Sequence, residues 1–531
     1  MPVPLPDCVA VYAANAAHRW PAGSPMAWQD VSVALNPVGG NLTITLQGDK
    51  TPISFLSLRW NQKLPENARF LGDAWERSYG DLMWRPCQPS RLMPWYFAMA
   101  TPEATTAWGV EVRPGTMAAW SADPEGVTLW LDARCGGKGV TLNGRALPAA
   151  TVVTREYPGP GHFAAMRRFC RELCHAPLLP AAPVYGGNNW YYAYGDSDES
   201  RILADCDYVA GLAAGLENHP FMVIDDGWQV RHRAPGNSGP WDGGNARFPD
   251  MAGLPAKMRA KGVRPGIWFR PLWNLDPKIG EAMLLPAKDG APERFLDPSV
   301  PETLEQVKSD VRRIVDWGFE LIKHDFSTFD IFGRWGPAMN PWPAEGDWAF
   351  ADRSRTAAEI VTGLYRAIRE VAGDALIIGC NTIGHLGAGL MHLSRTGDDT
   401  SGVRWDRTRT MGVNTLAFRL CQHETFFAVD ADCLGVAGPI PWELNREWAE
   451  LLAKSGTPFF ASIKPGILNP REWEETRRLF AIASRPQAAA EPLDWMDTAV
   501  PARWRFADGE TRYAWFEKTG TVPDFTGREQ F

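Results

Sequence analysis

The stretch Leu321-Ile322-Lys323-His324-Asp325-Phe326 decides the fold class of this chain. It follows an amphipathic segment at about 303–317 and a turn at Gly318, which predicts a short buried strand. Side chains alternate faces along a strand, so Lys323 and Asp325 are predicted to point to the same side. A neighbouring ammonium group keeps a carboxylate ionised at neutral pH. The pair suits a carboxylate nucleophile or a polar grip on a hydroxylated ligand, and the alternative is a plain ion pair at a strand end.

The alternation of strands and helices extends on both sides of this stretch, over residues 183–485. Buried strands are predicted at 184–190, 221–225, 264–269, 320–325, 375–380, 393–397, 426–430 and 458–461. Helices fit between them at 199–216, 250–261, 303–317, 353–372, 405–421 and 443–455. This α/β pattern predicts a (β/α)8 TIM barrel. The main alternative is a doubly wound sheet, but no GxGxxG motif or P-loop follows any of these strands.

Three further regions surround the predicted barrel. Residues 1–145 alternate at period two, which predicts an N-terminal antiparallel β-sandwich with no evident catalytic constellation. Residues 146–182 are rich in proline, with one helix near Phe163–Cys174, and are predicted to connect the domains. Residues 486–531 are predicted to form a short C-terminal β segment, with one hairpin of Trp504–Phe506 and Tyr513–Phe516.

The overall composition is that of an ordinary soluble globular protein, 45% hydrophobic and 22% charged. The 54 basic and 62 acidic residues give a net charge of −8. No run rich in Lys and Arg stands out, so no nucleic-acid partner is predicted. No apolar stretch is long enough to span a membrane, so no membrane association is predicted. The N-terminus lacks the features of a signal peptide, which predicts a cytoplasmic protein, although a mature exported form would look the same. The oligomeric state is left open, a homo-oligomer included.

Cysteine and tryptophan usage bear on the ligand. The nine cysteines are scattered, with no CxxC pair or Cys/His cluster, which predicts reduced thiols and no structural zinc. The 25 tryptophans are many, and several lie in polar loops. Most tryptophans are core residues, but indole faces also stack on the C–H faces of sugars, so the excess favours a carbohydrate ligand.

Polar side chains end seven of the predicted strands. Barrel enzymes carry their active sites at these carboxyl ends, so these residues are the candidates for a site. In chain order they are Asn189, Trp190, Asp225, Asp226, Trp268, Arg270, Lys323, Asp325, Cys380, Asn381, Arg395, Asp398, Asp399, Asp430 and Asp432. Each of them alone fits a helix cap or an ion pair. Two carboxylates from different strands, together with aromatic side chains that can stack on a sugar, are typical of a glycosidase active site.

Five segments resemble motifs of the clan D glycoside hydrolases, families 27 and 36, which hold the α-galactosidases. The segments are 224–229 (IDDGWQ, like DDGW), 264–268 (RPGIW, like KPGLW), 323–325 (KHD, like the K-x-D nucleophile strand), 380–399 (like the Cys…Gly…Arg-x-G-x-Asp segment) and 430–434 (DADCL, like DPDML). The resemblance covers about 184–465 in the order of the clan. The N-terminal sandwich and the small C-terminal β piece look like the architecture of family 36.

The resemblance implies a retaining, exo-acting α-glycosidase, in the first place an α-galactosidase, which needs no metal or organic cofactor and acts on a small carbohydrate. It implies Asp325 as the nucleophile and Asp399, four residues beyond Arg395, as the acid/base. The pKa of Asp399 is then expected to be raised by burial and by the neighbouring Asp398. The substrate-binding roles it implies are O4 and O6 contacts by Asp225 and Asp226, hydroxyl contacts by Lys323, Cys380 and Arg395, and pocket walls from Trp190 and Trp268.

Two departures from the family pattern bear on the substrate rather than on the mechanism. The glycine-rich SGGGR segment of typical family 36 enzymes is replaced by NTIGHLGAG at 381–389, and the asparagine usually found two residues past the nucleophile is Ser327. One alternative is a galactosyl transferase of the raffinose synthase type, and another is a clan D glycosidase for β-L-arabinopyranosides or α-N-acetylgalactosaminides. A non-catalytic carbohydrate-binding barrel is the third, disfavoured because both carboxylates are present.

Overall fold

The computed structural model describes residues 2–13, 16–232, 236–287, 294–518 and 520. Two antiparallel sheets occupy the N-terminal part of the chain. Their strands are β1 (Cys8–Ala13), β2 (Ala16–Pro21), β3 (Ala27–Trp28), β4 (Val31–Val38), β5 (Asn41–Gln47), β6 (Ile53–Asn61), β7 (Arg69–Gly72), β8 (Met93–Pro94), β9 (Tyr96–Ala100), β10 (Ala104–Val110), β11 (Met117–Asp123), β12 (Gly126–Asp132) and β13 (Ala146–Pro158). One sheet has the order β2-β1-β6-β12-β11-β8, and the other has the order β3-β4-β5-β13-β10-β9-β7.

These two sheets face each other across an apolar layer, as the period-two pattern predicts. Leu42, Ile44 and Leu46 of β5 are buried, whereas the intervening threonines are partly exposed. Trp60 on β6 and Trp108 on β10 meet between the sheets with ring centroids 5.2 Å apart. The predicted N-terminal antiparallel domain is therefore confirmed.

The long strand β13 lies where the sequence predicts a connector. It pairs with β10 along one edge and with β5 along the other, in the centre of the seven-stranded sheet. Its residues Leu147, Val152 and Val153 are fully buried. The start of the predicted connector, 146–158, is thus part of the sandwich, and its two prolines, Pro148 and Pro158, lie near the beginning and at the end of the strand.

A single parallel sheet carries the predicted α/β region. Its strands are β14 (Tyr185–Asn188), β15 (Phe221–Ile224), β16 (Arg264–Phe269), β17 (Leu321–His324), β18 (Leu376–Gly379), β19 (Leu393–Arg395), β20 (Ala428–Asp430), β21 (Cys433–Val436) and β22 (Phe459–Ile463). The order is β20-β19-β18-β17-β16-β15-β14-β22-β21, with every pair parallel. This curled parallel sheet confirms the predicted barrel in part, since no ladder joins its edge strands β20 and β21 in the described residues.

Helices follow most of the parallel strands. They are α1 (His162–Leu173), α2 (Trp190–Ala193), α3 (Glu199–Leu212), α4 (Leu254–Ala260), α5 (Pro301–Trp317), α6 (Ser327–Phe332), α7 (Ala357–Val371), α8 (Gly384–Gly387), α9 (Trp405–Arg407), α10 (Thr415–Arg419), α11 (Trp442–Lys454) and α12 (Pro470–Ala483). A π-helical segment, Thr408–Asn414, joins α9 to α10. The predicted turn between α5 and β17 is formed by Gly318 at φ 101°, a conformation that favours glycine.

The C-terminal strands are β23 (Glu491–Pro492), β24 (Arg503–Phe506) and β25 (Gly509–Arg512). The hairpin is present, but its second strand is β25, and the prediction of Tyr513–Phe516 is wrong. The connection between β24 and β25 has only two residues, Ala507 and Asp508, so pairing starts earlier than the aromatic residues indicate. Residues 519 and 521–531 of the predicted segment lie outside the described residues. Within the described chain, no helix is both long enough and apolar enough to cross a membrane.

Candidate active site

A cavity of about 540 Å³ lies at the carboxyl ends of the central parallel strands. Seven of the residues to which the resemblance gives a catalytic or binding role line it: Trp190, Asp225, Asp226, Trp268, Lys323, Asp325 and Asp399. Further lining comes from Arg77, Tyr79, Asn237, Phe326, Trp335, Pro337, Ala338, Asp398, Arg407 and Met411. The carboxyl ends of parallel strands meet at one edge of a sheet, which explains why residues from distant motifs converge here.

Asp325 follows β17 directly and is held by three hydrogen bonds. Its Oδ1 accepts from the main-chain N–H groups of Phe326 at 2.7 Å and Asn381 at 3.1 Å, and its Oδ2 accepts from Trp268 Nε1 at 3.0 Å. Burial would raise the pKa of Asp325, but the positive charges of Lys323 and Arg77 and the bond from Trp268 outweigh it and lower the pKa. The side chain is therefore a fixed, ionised carboxylate.

Lys323 makes its ion pair with a different carboxylate from the one that strand alternation suggests. Its Nζ donates to Asp225 Oδ2 at 2.7 Å, and the same oxygen accepts from Asn188 Nδ2 at 2.7 Å. Burial raises the pKa of Asp225, and the charge of Lys323 offsets only part of that effect. Despite its burial, Lys323 has its pKa raised by Asp225, Cys380 and Asp325, so the ammonium group stays charged. Asn188 was missed by the sequence analysis.

Asp226 is anchored by the turn that follows β15. Its Oδ1 accepts from Gln229 Nε2 at 2.6 Å and lies 3.3 Å from His232 Nδ1. The glycine of this turn, Gly227, has φ 125°, and a Cβ atom there would lie 2.7 Å from the carbonyl oxygen of Gly195. The turn therefore requires glycine, which is the physical reason for the D-D-G sequence. His232 was also missed, since its sequence context carries no motif.

Arg395 connects two carboxylates behind the cavity surface. Its Nη2 lies 3.1 Å from Asp399 Oδ1 and 3.0 Å from Asp432 Oδ2, and its Nη1 donates to Cys380 Sγ at 3.4 Å. Arg395 and Cys380 are 3% and 1% exposed, and neither lines the cavity. The contacts with sugar hydroxyls that the resemblance implies for these two residues therefore stay a prediction.

The charge state of Asp399 differs from the expectation. Burial would raise its pKa, but Arg395, Lys323, Arg77 and Arg407 together lower it below the usual range of an aspartate. The expectation of a raised pKa considered burial and one neighbouring carboxylate, and it left out the surrounding cations. Asp399 is therefore ionised and can act as a base, whereas acid catalysis requires that it gain a proton.

A loop of the N-terminal domain contributes to the cavity, although the sequence shows no evident catalytic constellation in this domain. Arg77 lies 3.2 Å from Asp398 and 3.9 Å from Asp399. Tyr79 donates its hydroxyl to Glu76 at 2.7 Å, and Glu76 is in turn bonded to Asn381, which follows β18. No local sequence signal marks Arg77 or Glu76, because their partners Asp398 and Asn381 are more than 250 positions away.

No protein-family model matches the sequence. Part of the chain is similar to two fungal proteins described as probable α-galactosidase A. The identity is 31% over 157 residues with that of Aspergillus terreus, or 29% of this chain and 25% of the relative. It is 33% over 92 residues with that of Aspergillus clavatus, or 17% of each chain. The similarity thus spans a quarter or less of the length of these relatives.

Solved structures match over most of the chain. The α-galactosidase of Thermus thermophilus, in complex with p-nitrophenyl α-D-galactopyranoside, superposes with a TM-score of 0.61 at 20% identity, over 95% of this chain and 98% of that one. The chain has the fold of the family 36 α-galactosidases. A family 36 α-galactosidase of Geobacillus stearothermophilus, in complex with 1-deoxygalactonojirimycin, gives 0.58 at 15% identity, over 85% and 67%. The resemblance identified from the motifs is thereby confirmed at the level of the fold.

The two departures from the family 36 pattern lie away from the cavity surface. Ser327 is fully buried, and its hydroxyl is 3.5 Å from the carbonyl oxygen of Asn381. Within the NTIGHLGAG segment, His385 stacks on Trp95 of the sandwich with centroids 4.8 Å apart, and its carbonyl accepts from the N–H of Arg113. The replaced segment therefore packs against the N-terminal domain.

Arg270, the polar candidate that follows β16 directly, supports the segment after Asp325. It forms a buried ion pair with Asp330 at 2.6 Å and stacks 4.1 Å above the ring centre of Phe326. Phe326 has φ 63°, a left-handed conformation that is rare for a bulky residue, and this stacking holds it there. Among the described residues, no group of three or more His, Cys, Asp or Glu side chains is placed to hold a metal ion.

Proposed function

We propose that this protein is a retaining, exo-acting α-galactosidase that works by double displacement. The observation that carries the proposal is the presence of Asp325 and Asp399 in one cavity, where the charge of Asp399 acts to raise the pKa of Asp325. A fixed, ionised carboxylate from one strand facing a second carboxylate from another is the arrangement that glycoside hydrolysis requires.

In the first step, Asp325 attacks the anomeric carbon while Asp399 gives a proton to the leaving oxygen. The C–O bond to the aglycone breaks, and an ester bond between Asp325 and the sugar forms. In the second step, Asp399 takes a proton from water, which attacks the same carbon and releases Asp325. The three donors to Asp325 hold its oxygens in place, so little reorganisation accompanies attack.

The sugar is assigned from the polar groups at the inner end of the cavity. Asp225 and Asp226 are acceptors for the 4- and 6-hydroxyls, and Lys323 is a donor beside them. Trp190 and Trp268 offer apolar faces to the ring. Support also comes from structures of the same fold, which were determined with p-nitrophenyl α-D-galactopyranoside and with stachyose. An oligosaccharide or aryl galactoside is accordingly the substrate class.

The proposal includes the architecture that holds the site. Only Ala431 and Asp432 separate β20 from β21. We infer that β20 and β21 are two parts of a single distorted strand, the seventh of a closed (β/α)8 barrel. We divide the chain into a sandwich through residue 158, a connector to about 182, a barrel to 485 and a C-terminal β segment from 486.

The test is a screen of p-nitrophenyl α- and β-glycosides with the purified chain. Release of p-nitrophenol from the α-galactoside, with little from the β-galactoside or α-glucoside, is expected. Preference for the β-L-arabinopyranoside or the α-N-acetylgalactosaminide would redirect the sugar assignment within the same mechanism. Turnover only when an acceptor sugar is added would indicate a galactosyl transferase. Galactose binding without turnover of any glycoside would contradict the enzymatic proposal.

A further inference from the structure

Two arginines and two carboxylates form a compact cluster at the rim of the cavity. Asp398 lies 3.2 Å from Arg77 and 2.6 Å from Arg407, on its two different oxygens. Arg77 also approaches Asp399, at the longer distance of 3.9 Å. Asp398 therefore has the shorter contact with the arginine that the two carboxylates share.

The position of Arg77 is fixed by the main chain. The N–H of Ser78 donates to the carbonyl of Thr396 at 2.9 Å, and the N–H of Asp398 donates to the carbonyl of Ser78 at 3.1 Å. These two bonds tie the N-terminal loop to the segment that carries both carboxylates. Arg77 is itself only 4% exposed, and its Nη2 lies 3.2 Å from the hydroxyl oxygen of Tyr79. The arginine cannot move away without breaking this connection.

We propose that Asp398 and Arg77 are positioning residues that set the protonation of Asp399, with Asp398 holding Arg77 and Arg407 away from the acid/base. The inference rests on the proposed function. Arg77 supplies positive charge that favours the carboxylate form, and Asp398 neutralises part of that charge. The balance between the two decides over which pH range Asp399 carries the proton needed for the first step.

The charges around Asp399 come from every element packed against it. They are Arg395 on β19, Lys323 on β17, Arg77 of the N-terminal loop, Arg407 on α9, the carboxylates Asp325, Asp398 and Asp432, and the phenols Tyr191 and Tyr194 near α2. Of these, only Arg77 comes from the sandwich. The low pKa of Asp399 agrees with an excess of nearby positive charge.

Removing the charge of Arg77 and removing the charge of Asp398 should move the pKa of Asp399 in opposite directions. Without Arg77, one cation is lost, so the pKa rises and acid catalysis persists to higher pH. Without the charge of Asp398, less negative charge offsets Arg77 and Arg407, so the pKa of Asp399 falls and acid catalysis is lost at lower pH. A purely structural role for either residue would lower activity without such opposite shifts.

The experiment compares Arg77→Met and Asp398→Asn with wild type by the pH dependence of kcat/KM on stachyose, whose leaving group needs a proton. The basic limb should move up by about one to three pH units in Arg77→Met and down by a comparable amount in Asp398→Asn. Arg77→Lys keeps the charge and should leave the limb near its wild-type position. Arg145→Met is the matched control, because Arg145 also joins the sandwich to the barrel, through Glu359 at 2.6 Å, but lies outside the cavity lining.

The inference would be overturned if the basic limb of kcat/KM did not shift in folded, active Arg77→Met and Asp398→Asn. It would also be overturned if the two limbs shifted in the same direction. If Arg77→Met fails to fold, the comparison of Asp398→Asn with Asp398→Glu, which restores the charge, decides the sign. An inactive wild type would instead contradict the proposed function. The two failures are therefore distinguishable.

Discussion

Lys323 reaches across β16 to donate to Asp225, with 2.7 Å between Nζ and Oδ2, although Asp325 follows it by only two residues. One cation thus serves two carboxylates: it pairs directly with Asp225 and lowers the pKa of Asp325 from a greater distance. Substrate recognition and nucleophile ionisation depend on the same side chain. A change at Lys323 should therefore disturb both.

Replacement of Lys323 by methionine should lower both stability and activity. It leaves Asp225, 3% exposed, without its cation, which costs about 3–5 kcal/mol of unfolding free energy at pH 7. The loss should shrink as the pH falls, because Asp225 then takes up a proton. Urea unfolding at pH 7 and pH 5 measures this. Lys257→Met, which breaks an exposed ion pair with Glu199, is the control and should change the stability far less. Equal stability of Lys323→Met and wild type would contradict the pairing.

Asp325→Asn should remove hydrolysis, with kcat lowered more than about 10³-fold, because an amide cannot act as the nucleophile. The protein should still fold, with stability lowered by about 1–3 kcal/mol, since Nδ2 cannot accept the hydrogen bond from Trp268 Nε1. Initial rates on p-nitrophenyl α-galactoside and thermal melts provide the two measurements. Turnover close to wild type in a folded Asp325→Asn variant would rule out Asp325 as the nucleophile.

Asp399→Ala should lose about 10²–10⁴-fold in rate on substrates with poor leaving groups and much less on activated aryl galactosides. Added azide should restore turnover of the aryl substrate and give a galactosyl azide, because the space left by the carboxylate admits the anion. Asp398→Ala is the matched comparison, since Asp398 is the adjacent carboxylate and is itself paired with Arg77 and Arg407. Azide rescue of Asp398→Ala and not of Asp399→Ala would reverse the assignment.

The parts of the site that could be predicted from the sequence are the local ones. The turn at Gly227 is specified by its own neighbours, since any side chain there would collide with Gly195. The spacing from Arg395 to Asp399 likewise places both groups on one loop, where their ion pair of 3.1 Å forms. Each motif lies at a strand end, so its arrival at the cavity follows from the parallel sheet alone.

The parts that could not be predicted depend on contacts between distant segments. Strand alternation gives the face of Lys323, but the choice of Asp225 over Asp325 depends on the curl of the sheet across β16. Nothing near Arg77 in the sequence signals its approach to Asp398, which is more than 300 residues away. The expectation of a raised pKa at Asp399 was wrong because it left out the cations around it, Arg395 first and then Lys323 and Arg77.

The stability of the protein should depend on pH through Asp205, which lies on α3 outside the cavity lining. Burial raises its pKa to about 7, with partial compensation by a hydrogen bond from Tyr192. The folded state then binds the proton more tightly than the unfolded state, whose carboxyl has a pKa of about 3.9. The contribution of Asp205 to stability therefore falls by about 1.4 kcal/mol per pH unit between pH 4 and pH 7.

Asp205→Asn removes this dependence, so its melting temperature should rise relative to wild type between pH 5 and pH 8. Asp207→Asn provides the control on the same helix, because Asp207 is exposed and paired only with Lys261 in the described residues. A constant difference between Asp205→Asn and wild type across this pH range would show that the carboxyl does not titrate there.

The anomer released first should be the α-anomer. Retention requires the two carboxyl groups to be about 5–5.5 Å apart, whereas a separation of about 6.5–9.5 Å admits a water between Asp325 and the sugar and gives inversion. Asp325 is ionised and fixed by three donors, which suits direct attack on the anomeric carbon. Proton NMR during the first minutes of hydrolysis of an α-galactoside, before mutarotation, distinguishes the anomers. Methanol added as an acceptor should yield methyl α-galactoside. Initial appearance of the β-anomer would mean a single displacement by water, and Asp325 would then be a base.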